Sequence, residues 1–189
     1  KIFPVLCGSA LLNVGAQPLM DAMVDLLPSP TERGEIRGTD PRTQEEIVRK
    51  PAPAEPYSAF VFKTIADPFS GRITLFRVYS GTIKSDSSVN NVTRGTAERL
   101  GAISVMQGKE LIHVTEAKAG DIAAIPKLKE TYTGDTLADK AHPILYAPVV
   151  FPEPATTFAI EPKTRGDEDK ISSALHRLME EDPSLGLAV

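Results

Sequence analysis

The sequence predicts a mainly β protein, with one whole β-barrel or sandwich between a partial α/β unit before it and a partial α+β unit after it. Three observations carry this reading. From Tyr57 to Tyr146, short β-prone runs alternate with turn signals at the spacing of an all-β module. Ahead of them stand one apolar run, a loop and one helical pattern; behind them stand one strand pattern and one helix. Neither flanking set can close a layer alone, so both read as edges of larger domains.

The opening Ile2-Phe3-Pro4-Val5-Leu6-Cys7 is continuously apolar, as expected of a strand buried on both faces. Gly8-Ser9 and Asn13-Val14-Gly15 supply turn chemistry. Pro18 suits a helix's first turn, and Leu19, Ala22, Met23, Leu26 and Leu27 repeat at helical spacing until Pro28-Ser29-Pro30 stops them. Residues 31–56 scatter their apolar side chains among charges, glycines and prolines, which predicts a connecting segment with a turn at Thr39-Asp40-Pro41. The expected strands are Tyr57–Ala66, Arg72–Tyr79, Ser88–Thr93, Ala97–Met106 and Asp121–Ile125. Turns or bends fall at Asp67-Pro68, Ser80-Gly81, Arg94-Gly95 and Gly134-Asp135. After a hinge at Pro148 and Phe151-Pro152-Glu153-Pro154, Thr156–Glu161 predicts a strand and Thr164 caps a helix. Ile171, Leu175, Leu178 and Met179 form that helix's apolar stripe and Asp182-Pro183 ends it. The domains expected are therefore 1–30, a connector over 31–56, the barrel over 57–146 and a further α+β domain from 147 to 189.

Composition narrows the function. At 189 residues and 41% hydrophobic content, the chain is long enough for one core and part of another. No run of apolar residues reaches bilayer length and no signal-peptide pattern is present, so a cytoplasmic, membrane-free setting is expected. The single cysteine, Cys7, reads as a small buried hydrophobe in a reducing compartment. A net charge of −4 divides unevenly: 6 basic and 8 acidic residues over 1–56, 11 and 9 over 57–146, and 4 and 8 over 147–189. Only the middle segment leans basic, which permits shallow phosphate contact without requiring it.

Catalytic machinery is not evident. The sequence has no GxxxxGKS/T phosphate loop and no GxGxxG. His113, His142 and His176 lack partners at metal-ligand spacing, so no metal site is expected. The acids at Asp167–Asp169 and Glu180–Asp182 read as helix-end charges rather than as an acid–base pair. No catalytic residue is assigned.

Cys7-Gly8-Ser9-Ala10-Leu11, set between the apolar run and the helix, resembles the fifth guanine-nucleotide motif of translational GTPases. Ala66-Asp67-Pro68-Phe69-Ser70-Gly71, followed by Phe76-Arg77-Val78-Tyr79-Ser80-Gly81, resembles the first hairpin of the elongation factor G barrel. Ala119-Gly120-Asp121-Ile122, Thr133-Gly134-Asp135-Thr136-Leu137 and Phe151-Pro152-Glu153-Pro154 follow in order. Ala159-Ile160-Glu161-Pro162-Lys163-Thr164 then runs into Glu180-Glu181-Asp182-Pro183. Five ordered motifs cover nearly the whole chain, and the last two separate elongation factor G from elongation factor Tu.

The resemblance implies a translation-factor-type β-barrel, the second domain of a ribosome-binding GTP hydrolase that moves tRNA and mRNA. The barrel would sit between the end of the GTP-binding domain and the start of the third domain. It implies that backbone N–H groups at Ser9, Ala10 and Leu11 face the guanine of GTP or GDP, held with Mg in the parent protein. Without a phosphate loop the chain itself would retain no nucleotide and hydrolyse none. Its partners would be the ribosome's small-subunit rRNA and the factor's own GTP-binding and later domains. Arg72, Arg77, Lys84, Arg94 and Arg99 are the candidate phosphate contacts, each of which also reads as an ordinary solvated charge. Gly71, Gly81, Gly120 and Gly134 read as bends or positive-φ positions, and Asp121 and Asp135 as acceptors in the adjoining turns. Met106–His113 and Ala123–Leu128 are closer to the divergent elongation factor G-like paralogues. A recycling, rescue or tetracycline-protection role therefore stands beside translocation. A plain protein-binding barrel is the reading from another class.

Overall fold

The structure, a computed structural model, describes residues 3–67, 71–162 and 164–187. The turn residues Pro68–Ser70 and the motif residue Lys163 lie outside the described residues. Two compact units are present, Lys1–Arg33 and Gly34–Val189.

In the first unit the helix is where the periodicity places it. α1 spans Ala16–Leu26, follows Gly15 at φ 83°, and closes with the Leu27 N–H donating to the Met23 carbonyl before Pro28 forbids another turn. The apolar run ahead of it is a correction: residues 3–8 form no strand, and Cys7 is exposed rather than buried. A strand exists only through ladder bonds to a neighbour, and among the described residues the run has none.

The segment read as a connector holds a hairpin, a second correction. β1 (Ile36–Thr39) pairs antiparallel with β2 (Glu46–Arg49), and Asp40 turns the chain between them by accepting the Arg42 N–H at 2.7 Å. The hairpin is tied to a distant strap: Thr39 and Leu145 exchange both backbone hydrogen bonds at 2.8 Å. Ile36 and Ile47 pack with Phe60, Ala138, Ile144 and Tyr146. Each strand is only four residues long, and β2 sets Ile47 beside Val48, so no alternation stands out from the surrounding charge.

The main sheet contains β3 (Ser58–Asp67), β4 (Gly71–Ser80), β6 (Ser88–Asn91), β7 (Thr96–Arg99), β8 (Ile103–Gln107), β9 (Glu110–Val114), β11 (Ile122–Pro126) and β12 (Thr136–Ala138). Its antiparallel order is β7-β6-β12-β3-β4-β11-β8-β9. A separate ladder joins β5 (Thr82–Lys84) to β10 (Glu116–Lys118). Val89 on β6, Val61 on β3, Phe76 on β4, Ile103 on β8 and Leu137 on β12 all enter one core. Side chains from distant strands can meet only if the sheet curls round them, which makes a barrel-like wall, although no ladder joins β7 to β9 among the described residues. Each fully buried large side chain there contributes about 1.5–3 kcal/mol.

The five expected strands are all present, but Ala97–Met106 divides into β7 and β8 around Leu100–Ala102, and the short β5, β9, β10 and β12 went unread. A bulge between Val61 and Lys63 shifts the β3 register against β4. Ala59 and Val61 point into the core, Phe62 and Lys63 turn outward, and Thr64 is buried again. Gly81 stands at φ 72°, where a Cβ would lie 2.5 Å from the Glu55 carbonyl and the Tyr57 backbone, so only glycine fits this crossing.

Beyond the barrel, no strand forms over 156–161, a third correction; that stretch has no ladder partner among the described residues. A 3-10 turn, Arg165–Asp167, leads into α2 (Glu168–Glu181), which ends at Asp182 and lies against β3. Thr164 does not cap the helix backbone. Its hydroxyl donates to the Asp167 carboxylate at 2.7 Å, and that contact, with Lys170, holds the Asp167 pKa below the ordinary aspartate range.

Candidate functional site

The Ser9–Val14 loop is a narrow turn. Ser9 and Val14 exchange backbone bonds at 2.9 and 3.0 Å, the Leu12 N–H donates to the Ser9 hydroxyl at 3.3 Å, and Asn13 takes a left-handed φ of 52°. Among the described residues the N–H groups of Ala10 and Leu11 have no partner, and Leu11 is 94% exposed. A groove of about 330 Å³ opens beside them, lined by Cys7, Gly8, Ser9, Ala10 and Asn13. Two free amides beside small side chains suit a flat carbonyl-bearing ring approached edge-on. The Ser9 N–H, by contrast, is already committed to the Val14 carbonyl, and no phosphate-binding loop is in this sequence.

The five basic candidates separate into two kinds. Arg72 on β4 is largely buried. Its Nε and Nη2 donate to the Leu128 carbonyl at 3.1 and 2.5 Å, Nη2 also reaches the Lys129 carbonyl, and Nη1 meets Glu180 at 3.4 Å. Arg94 donates through Nε to Asp135 at 2.7 Å. Both guanidiniums lie over the Tyr132 ring, 4.3 and 4.4 Å from its centroid. These two arginines therefore form one structural cluster around Tyr132. Arg77, Lys84 and Arg99 make no side-chain hydrogen bond or ion pair among the described residues. Lys84 and Arg99 flank one turn: the Ser87 hydroxyl donates to the Lys84 carbonyl, and the Leu100 N–H to the Ser87 carbonyl. Arg77 lies apart on β4, opposite Ile122.

Beneath Arg94, Asp135 is 3% exposed and accepts from Asn91 Nδ2 and the Tyr132 N–H, each at 2.9 Å. The turn role read from Gly134-Asp135 is thus present, with a buried side-chain network added to it. Asp121 accepts the Lys118 N–H at 2.8 Å, the other expected turn. Gly71, Gly81, Gly120 and Gly134 all have positive φ.

Sequence reasoning missed Glu98, whose carboxylate receives the N–H groups of Lys129 and Glu130 and the Thr131 hydroxyl. It also misread Glu180 and Glu181. Negative charge is disfavoured at a helix C-terminus, so helix-end electrostatics does not place them there. Their contacts do: Glu180 meets Arg72, and Glu181 Oε1 receives the Ala66 N–H at 2.5 Å. No spacing in the sequence pairs residues more than a hundred positions apart.

An antiparallel sheet curled on one core, bulged at its first hairpin and followed by a Pro-rich stretch and a helix, is the architecture that the order of motifs implies for a translation-factor second domain and the start of the next. The family model for Elongation factor G domain 2 matches residues 56–140, and that for Elongation Factor G, domain III, matches residues 151–189. A crystal structure of a protein from Thermus thermophilus superposes with a TM-score of 0.71 at 34% identity, over 92% of this chain and 24% of that one. The chain belongs to the elongation factor G family, and spans about a quarter of the length of that relative. None of its described helices is long and apolar enough to cross a membrane, which says nothing of strands. No group of metal-ligating side chains is gathered among the described residues.

Proposed function

We propose that this chain is the ribosome-docking and relay portion of a translational GTPase of the elongation factor G type, working in the cytoplasm. The whole protein couples GTP hydrolysis to movement of tRNA and mRNA. The observation that carries the reading is the succession, in one chain, of a domain 2 match and a domain III match in the family's order. In this reading residues 1–30 contribute the guanine side of the nucleotide site through the amides of Ala10 and Leu11, with Ser9 holding the turn that presents them. GTP or GDP and Mg are completed elsewhere in the parent. The barrel, 57–146, rests on small-subunit rRNA, and 147–189 begins the third domain.

The free cations Arg77, Lys84 and Arg99 are the phosphate contacts of choice, because a guanidinium already shared among carbonyls, a carboxylate and a ring has little left for a phosphate. Arg72 and Arg94 shape the surface instead. A second reading rests on the resemblance of Met106–His113, which lies in the β8–β9 hairpin, and of Ala123–Leu128 to divergent elongation factor G-like paralogues, and would give the parent a role in ribosome recycling, rescue or tetracycline protection. A third, a protein-binding barrel, rests on the exposed Phe62, Val105, Ile112 and Ile122.

Cosedimentation with purified bacterial small ribosomal subunits across a salt series tests the docking. Binding should weaken steeply as salt rises and be lost in a Lys84→Glu, Arg99→Glu variant that leaves Arg72 and Arg94 in place. Binding that ignores salt and survives the charge reversal would overturn the RNA reading in favour of an apolar protein interface.

A further inference from the structure

We propose that Glu180 and Glu181 form a releasable latch, by which α2 is held to the base of the β3–β4 hairpin through polar contacts and can leave it without disturbing the barrel. The inference goes beyond ribosome docking and holds whether or not the chain meets RNA.

The attachment is polar on both sides. Glu181 Oε1 receives the Ala66 N–H at 2.5 Å and Glu180 Oε1 meets Arg72 Nη1 at 3.4 Å. Among the described residues, no side chain of α2 belongs to any of the apolar clusters of the barrel. Three of the four residues of its stripe, Leu175, Leu178 and Met179, line a groove with Phe158, Ile160 and Leu187. The helix therefore keeps its apolar neighbours in its own segment while two carboxylates reach back to the sheet.

Opening leaves nothing stranded. When Glu180 departs, Arg72 retains the Leu128 and Lys129 carbonyls and the Tyr132 ring, so no buried charge loses all its partners. Glu180 has a side chain 36% exposed, and a cleft of about 260 Å³ between Ala66, Arg72, Arg177 and Glu180 lets water reach the joint. Ala66 is itself half-buried, so its N–H can bond to water in the open state. A charge-assisted contact whose groups can all be rehydrated opens without leaving a buried group unpartnered, which is the condition a switchable joint must meet.

The joint is also wired to the turn that leads into β12. Arg72 shares the Tyr132 ring with Arg94, and Arg94 is bonded to Asp135 in the turn before β12. Closure of the latch thus holds the guanidinium that packs Tyr132 from the α2 side, while Asp135 holds the other.

Amide hydrogen exchange on the whole 189-residue chain reads the latch directly. In a Glu180→Gln, Glu181→Gln variant, exchange in peptides from 168–181 and at the Ala66 amide should rise by about tenfold or more, with β4, β11 and β12 unchanged. Raising salt to roughly 1 M should reproduce part of that rise in the unsubstituted chain. Two outcomes would overturn the proposal. Exchange in α2 that stays at its original rate means packing, not the carboxylates, holds the helix. Exchange that rises equally in the barrel strands means the contacts belong to the barrel's own stability.

Discussion

At the scale of single residues, the chain's charged side chains are sorted by what the backbone leaves for them to do. Asp135 is the clearest case. With 3% exposure its carboxylate is cut off from water, and Asn91, Arg94 and the Tyr132 N–H all donate to it. All three donors meet the one oxygen Oδ2, so Asp135→Asn can keep that acceptor but removes the Arg94 ion pair and the charge that strengthens each bond. The variant should lose about 2–4 kcal/mol of stability and melt about 5–15 °C lower in a thermal unfolding scan. Arg94, whose side chain is 44% exposed, can rehydrate. Arg94→Ala should therefore cost less than Asp135→Asn. The spacing Thr133-Gly134-Asp135 marks the aspartate as a turn residue, and the turn bond to Tyr132 is that reading made real. Its burial and its arginine are not in the motif.

At the scale of elements, the strap that follows β12 shows how short segments are held by polar contacts rather than by periodicity. Tyr57 donates through its hydroxyl to the Ala138 carbonyl at 2.7 Å, and burial pushes its pKa well above the ordinary tyrosine value. Tyr146, pushed up to about 12 chiefly by burial, is bonded to Ser58 at 2.6 Å. Both hydroxyls remain neutral donors throughout the physiological range. Asp139, between them in sequence, closes the turn by accepting the N–H groups of Ala141 and His142. Burial raises its pKa, but those bonds and the His142 ring beside it outweigh burial and hold the carboxyl below the ordinary aspartate range. A group with a depressed folded pKa stabilises fully above its unfolded value and loses that contribution as pH falls through the folded one. The melting temperature should therefore fall less steeply between about pH 5 and about pH 3 in Asp139→Asn than in the unsubstituted chain.

The elements that sequence reading found are those with a long repeat, α1, α2, β3 and β4, and the shorter β6, β7–β8 and β11, whose β-prone runs are bracketed by turn signals. Those it missed are three to five residues long, and at that length alternation cannot be told from chance. Over the described residues 3–7 and 156–161 the expected strands fail for a different reason. Their residues have strand propensity, but propensity becomes a strand only beside a partner, and no described residue supplies one.

At the scale of the whole molecule, the two compact units carry separate consequences. The apolar clusters of Gly34–Val189 draw on no residue before Ile36. A chain beginning at Gly34 should accordingly keep the barrel's unfolding temperature within about 2 °C of the full chain, by circular dichroism on heating. A larger drop would show that the first thirty-three residues contribute to the barrel's stability.

The sequence by itself determined the mainly β class, the long strands, both helices, the glycine bends and the elongation factor G family. These depend on local patterns: periodicity of two or 3.6, turn chemistry, and motifs in a fixed order. Only the tertiary structure decided that Arg72 and Arg94 meet over one tyrosine, that a bulge at Phe62 shifts β3's faces, that residues 36–49 form a hairpin, and that Glu180 and Glu181 reach the first strand pair. Each of those outcomes depends on which distant segments the folded sheet brings side by side, and a one-residue change of register is enough to alter the set.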